Sequence, residues 1–277
     1  MKLTSYVLLI ALLLITTLPG KVAAAPKAEL WARWQAHDSA SKKVVDHSAW
    51  DQFLSYYLVT NHPSGINRVR YGAVSPEDRR NLHAYLDRLQ QTRVSELNRP
   101  EQMAYWINLY NALTVRVVLE HYPVSSIRHI DISPGWLSRG PWGAKLLRIE
   151  DEEVSLDDIE HRILRPIWQD ERIHYALNCA SIGCPDLQPQ AFTAANTDAL
   201  LNQAAHNYVN HPRGVTVRDH RLHLSSIYDW FLADFGGNRD GIMHHLKTYA
   251  EPTLVKQLEI FSGRFVYDYD WGLNEVP

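Results

Sequence analysis

PEQMAYWINLYNALTVRVVLEHYP, residues 100–123, is the stretch from which the fold is read. Pro100 suits a first helical turn, where its missing N–H deprives the helix of nothing, and Pro123 stops the run. Between them Met103, Tyr105, Trp106, Ile107, Leu109, Tyr110, Leu113, Val117 and Val118 cover more than one face of a helix. That pattern predicts a central, buried helix rather than one lying on the surface. Asn108 and Asn111 stand three apart on one face of it. Asparagine is a poor helix-interior residue, and a buried one needs hydrogen-bond partners. Neighbouring loops are the first expectation; a direct binding role for both residues is the second.

Upstream, Trp50, Phe53, Leu54, Tyr57 and Leu58 repeat at helical spacing, as do Leu30, Trp31 and Trp34. Residues 61–72 read as a loop broken by Pro63 and Gly65. Ser75, Pro76 and Asp78 then form a helix start, with Leu82, Tyr85, Leu86 and Leu89 as the buried stripe. Downstream, residues 132–144 are rich in Gly, Pro and Trp, and make a structured loop or lid that carries Trp136 and Trp142. Residues 145–149 read as a strand and 150–153 as an acidic turn. Ser155 with Asp158 is a second capping box. Residues 172–178 alternate, with Ile173, Tyr175 and Leu177 opposite His174, Ala176 and Asn178, and are expected to be a strand. A helix is expected over 197–209, a hairpin around Asp219–His220, and a helix from Ser226 to Phe235 ended by Gly236–Gly237. Two short helices and a last strand through Phe265, Tyr267 and Tyr269 close the chain. The fold class is α+β: helix-rich, with a small, mostly antiparallel sheet, in a single globular domain over 25–277.

The N-terminus bounds the chemistry. Lys2 precedes an uncharged apolar run from Tyr6 to Leu18, then Pro19, Gly20 and a small-residue site with Val22 and Ala24. This is a signal-peptide pattern over residues 1–24, cut after Ala24. The run is shorter than the ~20 residues of a membrane span. The expectation is therefore a periplasmic or secreted protein with no stable span after cleavage. Loss of Lys2 and Lys21 takes the formal net charge from −3 to −5, which argues against a nucleic-acid partner. A hydrophobic fraction of 45% and nine Trp suit a globular core.

Cys179 and Cys184 are the only cysteines, and both lie in the segment NCASIGCP, residues 178–185. In an oxidising compartment one reading is a local disulfide between them. The other makes Cys179 a nucleophile, which needs a base or a positive neighbour to form thiolate. If 172–178 is extended, His174 stands roughly 16 Å from Cys179 and cannot reach it. His161, with Glu160 to orient a histidine, then enters as a second candidate base. The spacing is not C-x-x-C, and the chain has no H-E-x-x-H, P-loop, dinucleotide glycine fingerprint or Gly-x-Ser-x-Gly. No metal site and no cofactor is expected.

Four segments in order resemble the domain of unknown function 547 family. They are AYWINLYNAL (104–113), LDDIEHRILR (156–165), IHYALNC (173–179) with Cys184-Pro185, and YDWGLN (269–274). The resemblance covers about residues 50–274. It implies that Asn108, Asn111, Glu160, His161, His174 and Cys179 form one set, and it implies no particular reaction. Many members of that family have Gly after the first Cys, where this chain has Ala180; Ala is tolerated unless the position needs positive φ. Plant members carry Ser at the second Cys, so an obligatory disulfide is not implied. Two functions remain open. One is an exported cysteine-dependent hydrolase or acyl-transferase on amide or peptide substrates. The other is a non-catalytic envelope domain that binds a peptide or glycan with Trp136 and Trp142.

Overall fold

The computed structural model describes residues 26–135 and 139–276. The expected signal peptide and Trp136 lie outside the described residues. The central helix is α3, Arg99–His121, which follows α1 (Ser48–Tyr57) and α2 (Pro76–Gln90). Asn98 caps α3 by accepting from the Glu101 N–H, with Pro100 in the first turn. From Glu101 to Leu119 every side chain but Arg116 is buried, as a helix apolar all round requires. Ser75 and Asp78 cap α2 through reciprocal side-chain bonds.

Among the described residues the strands form three small sheets. β1 (Leu58–Val59) pairs with β2 (Arg68–Val69), and β3 (Leu147–Ile149) with β4 (Glu152–Val154), both antiparallel. In the third sheet β5 (Val215–Arg218) pairs antiparallel with β6 (Arg221–Ser225), and β6 parallel with β7 (Arg264–Asp268). Asp219 and His220 both adopt positive φ in the β5–β6 turn, the geometry a two-residue hairpin loop demands. The chain is thus α+β with mostly antiparallel pairing, distributed over three sheets rather than one.

After β4, Ser155 and Asp158 exchange hydrogen bonds as a capping box. The helix they start is a π-helix, Asp158–Leu164, which runs on into α4 (Arg165–Trp168). A π-helix of this length is rare, and such turns concentrate at functional sites.

The expected strand over 172–178 is instead a helical turn, α5 (Ile173–Ala176). Alternation misleads here because Ile173 through Asn178 are all buried, so no solvent face exists to mark a period of two. Two apolar clusters make the core. Ile173, Ala176 and Leu177 pack into the one built on α3, and Tyr175 into the one built by α6 (Thr197–Val209), the third sheet, α8 (Arg239–Tyr249) and α9 (Pro252–Glu259). Residues 173–176 are therefore the seam between the clusters. The helix expected from Ser226 to Phe235 is also shorter: α7 spans Ile227–Trp230 and turns follow to Phe235, with positive φ at Gly236 and Gly237.

Candidate functional site

The loop after α5 is held by carboxamides. Asn111 Nδ2 donates to the Ala176 carbonyl at 2.9 Å, and its Oδ1 accepts from the Asn178 N–H at 2.8 Å. Asn178 repeats the device: its Nδ2 reaches the Pro185 carbonyl and its Oδ1 accepts from the Ala180 N–H. Asn108 clamps Phe192 the same way, through both the N–H and the carbonyl. Both helix asparagines thus spend their side chains on backbone, 0% and 2% exposed.

The segment 270–274 straps the loop from outside. Ile182 N–H bonds to Gly272 O, Gly183 N–H to Asp270 O, and Asn274 N–H to Ala180 O. A Cβ on Gly183 would come within 2.8 Å of the Asp270 backbone nitrogen, so this strap requires glycine there. Ala180 has φ +56° and is fully buried. The position after Cys179 therefore does need positive φ, and alanine adopts it at a cost of about 1–2 kcal/mol.

This loop delivers Cys179 to a cradle of polar side chains. Its Sγ lies 3.1 Å from Cys184 Sγ, 3.2 Å from Ser181 Oγ and 3.1 Å from the Tyr269 hydroxyl; Ser181 and Tyr269 are themselves 3.0 Å apart. Both cysteines are free thiols. Once Cys179 ionises, the Cys184 S–H is its first donor. That bond, with smaller contributions from Ser181 and Tyr269, holds the Cys179 thiol below its usual pKa although burial opposes it. Burial pushes Cys184 well up, and the contact with Cys179 adds to this. Burial also keeps Tyr269 protonated far above the ordinary phenol range, so it stays a donor.

Beside the thiol lies a row of charged and titratable groups. Glu160 sits in the π-helix, close enough that its charge raises the Cys179 pKa. Its Oε2 accepts from the Tyr110 hydroxyl at 3.2 Å, and burial raises its own pKa against the pull of His174 and Arg165. Glu160 Oε1 stands 3.7 Å from His174 Nδ1, and His174 Nε2 is 2.7 Å from Asp234 Oδ2. Burial works against the Asp234 carboxylate, but hydrogen bonds from His174 and Arg165 hold it far below its usual pKa. Arg165 grips both of its oxygens. An ionised Asp234 accepts only, so His174 carries its proton on Nε2 and turns a bare Nδ1 toward Glu160. Burial keeps His174 neutral to lower pH than a free histidine. Phe231 stacks on its ring at 4.0 Å and 22°.

His161 joins the same group in a different way. Arg165 donates to its Nδ1 at 3.0 Å, which leaves the proton on Nε2, facing Asp157 Oδ1 at 3.6 Å. Burial lowers its pKa to about 4.

An aromatic wall continues from Tyr269. The Tyr269 and Trp271 rings are 4.6 Å apart, Trp271 stacks on Trp230 at 5.6 Å, and Trp142 meets its edge at 5.8 Å. Arg128 lies over the Trp271 ring at 5.1 Å. A cleft of about 450 Å³ lined by Lys43, Asp46, Arg88, Arg93 and Glu96 contains none of these groups. Among the described residues no group of three or more His, Cys, Asp or Glu is arranged to hold a metal.

Glu160, His161 and His174 thus stand in one cluster with Cys179 beside it, while Asn108 and Asn111 lie beneath as backbone clamps. Trp142 is part of the wall. Sequence reasoning missed Asp234, Arg165, Tyr110, Ser181 and Tyr269 as site residues. Four of these lay inside quoted segments and could have been found there. Asp234 gave no local signal.

Residues 94–209 match the model of a family described as "Protein of unknown function, DUF547", in agreement with the resemblance drawn from the sequence. The match covers α3, the π-helix and the cysteine loop; Asp234 and Tyr269 lie beyond it. No curated protein and no solved structure matches the chain.

Proposed function

We propose that the chain is an exported, cysteine-dependent acyl-transfer enzyme, a hydrolase or acyl-transferase acting on amide or peptide bonds, with Cys179 as nucleophile. The observation that carries the reading is a partly exposed free thiol in contact with Cys184, Ser181 and Tyr269, beside a Glu160–His174–Asp234 row. The Cys179 thiolate attacks the amide carbonyl, the C–S bond forms, and the tetrahedral oxyanion collapses with loss of the amine. The leaving amine takes a proton from Glu160, which burial keeps protonated to higher pH than a free carboxyl, and the water or acceptor amine that later attacks the thioester returns one to it. Asp234 and Arg165 position His174; His161, its acceptor nitrogen occupied by Arg165, supports the row rather than acting as base. Water or an acceptor amine then releases the acyl group.

The second reading, a non-catalytic envelope domain for a peptide or glycan, is favoured by one feature: the wall of Trp142, Trp230 and Trp271 on which a sugar or aromatic ring can stack.

Two measurements decide between them. Alkylation of the native protein followed over pH should give a Cys179 inflection below the ordinary thiol value, with Cys184 unlabelled. An activated ester should leave an acyl group on Cys179 that turns over, and Cys179→Ser should abolish it. A wild type that never acylates, or protein from the periplasm whose two cysteines are stoichiometrically joined and resist added thiol, overturns the enzyme reading.

A further inference from the structure

We infer that Cys179 and Cys184 form a peroxide-reactive pair, in which Cys179 is oxidised by a hydroperoxide and Cys184 resolves it to a disulfide. The inference shares with the proposed function the premise that Cys179 is the reactive thiol, but it does not need acyl transfer.

The geometry separates the two sulfurs by role. Cys179 is partly exposed and can meet a small oxidant, whereas Cys184 is 4% exposed and cannot. Yet the sulfurs are already in contact at 3.1 Å. A disulfide needs them near 2.05 Å, a shift of roughly 1 Å that side-chain rotation can supply. The loop between them is already closed by the Cys184 N–H bond to Ser181 O, and the Cys179 N–H points at Cys184 Sγ from 3.0 Å. No segment has to unfold to bring the pair together. The Ser181 and Tyr269 hydroxyls, both about Sγ, can donate to the oxygen that leaves.

In the first step the Cys179 thiolate attacks the outer oxygen of ROOH. The S–O bond forms, the O–O bond breaks, and the alkoxide departs as ROH after taking a proton. Cys179 is then a sulfenic acid. In the second step Cys184 sulfur attacks Cys179 Sγ, the S–S bond forms, the S–O bond breaks, and hydroxide leaves as water with the Cys184 proton. Two thiols and one ROOH give one disulfide, ROH and H2O. An external dithiol restores the pair by exchange.

The test treats the reduced full-length mature protein with one equivalent of hydrogen peroxide at pH 7 and maps the products by mass. The expected result is a Cys179–Cys184 linked peptide, formed about tenfold faster than free cysteine is oxidised under the same conditions, and reversed by dithiothreitol. Cys184→Ser should instead accumulate a sulfenic acid at Cys179 that dimedone traps, while Cys179→Ser should leave Cys184 unmodified. Wild type that yields a stable dimedone adduct or a sulfinic acid with Cys184 still free overturns the inference. So does wild-type oxidation no faster than that of free cysteine, a readout that stands even if the Ser variants misfold. A protein that closes the pair but never acylates at Cys179 loses the proposed function and keeps this one; one that acylates but does not close the pair does the reverse.

Discussion

Replacing Asn111 with alanine should loosen the cysteine loop and cost the fold several kcal/mol. The side chain makes two bonds, to the Ala176 carbonyl at 2.9 Å and from the Asn178 N–H at 2.8 Å. Ala176 is fully buried and Asn178 is 4% exposed, so neither backbone group has easy access to water. A buried backbone group left unpaired costs about 1–3 kcal/mol, and two of them with a small void give about 3–5 kcal/mol. That is a large share of a stability of about 5–15 kcal/mol. Asn108→Ala is the matched control. It also frees one N–H and one carbonyl, but on Phe192, which is not part of the cysteine loop. Urea unfolding followed by tryptophan fluorescence should give similar losses for both variants. Alkylation below the unfolding transition should differ: Cys184, protected in wild type and in Asn108→Ala, should become labelled in Asn111→Ala. An Asn111→Ala loss under about 1 kcal/mol would show that water replaces the side chain and refute the clamp. Equal labelling of Cys184 in both variants would refute its local action.

Tyr269→Phe removes one donor from the Cys179 thiolate and should raise the alkylation inflection by roughly one pH unit, as loss of a hydrogen bond to a charged group would; an unmoved inflection argues that Cys184 and Ser181 suffice. Ala180→Gly should change stability by less than about 1 kcal/mol, because relief of positive-φ strain is offset by a lost buried methyl and by glycine entropy. Ala180→Val should cost more than about 2 kcal/mol, and a glycine variant as damaged as the valine one would disprove the strain. Burial lowers the His47 pKa to about 4, so the fold prefers it neutral. The stability this gives is complete above the unfolded value near 6.5 and is lost as pH falls toward 4, about 2 kcal/mol of it between pH 7 and 5. Urea midpoints of His47→Asn over that range should fall correspondingly less than wild type, and parallel profiles would contradict this. His161, also lowered to about 4 by burial, acts in the same direction. Glu160 and Asp157, raised by burial, oppose it, which makes His47 the cleaner probe.

Much of the architecture was legible in residues close in sequence. α3 announces itself because a helix apolar on every face has only one place to go, and Pro100 marks its first turn. The capping pairs at Ser75–Asp78 and Ser155–Asp158, and the Asp219–His220 hairpin, follow from local hydrogen bonding and backbone preference. So did the candidate set around Cys179, since four short segments carried the resemblance.

What the chain could not announce locally is what long-range packing decides. Residues 173–176 coil because two apolar clusters claim neighbouring side chains, a competition invisible to any periodicity. The positive φ of Ala180 arises from a strap that arrives some ninety residues later, at Asn274. The proton on His174 is fixed by Asp234, sixty residues away, and the acidity of Cys179 in part by Tyr269, ninety away. Propensity and capping are properties of neighbours in the chain. The state of a thiol is a property of whatever the fold places around it, and that required the tertiary structure.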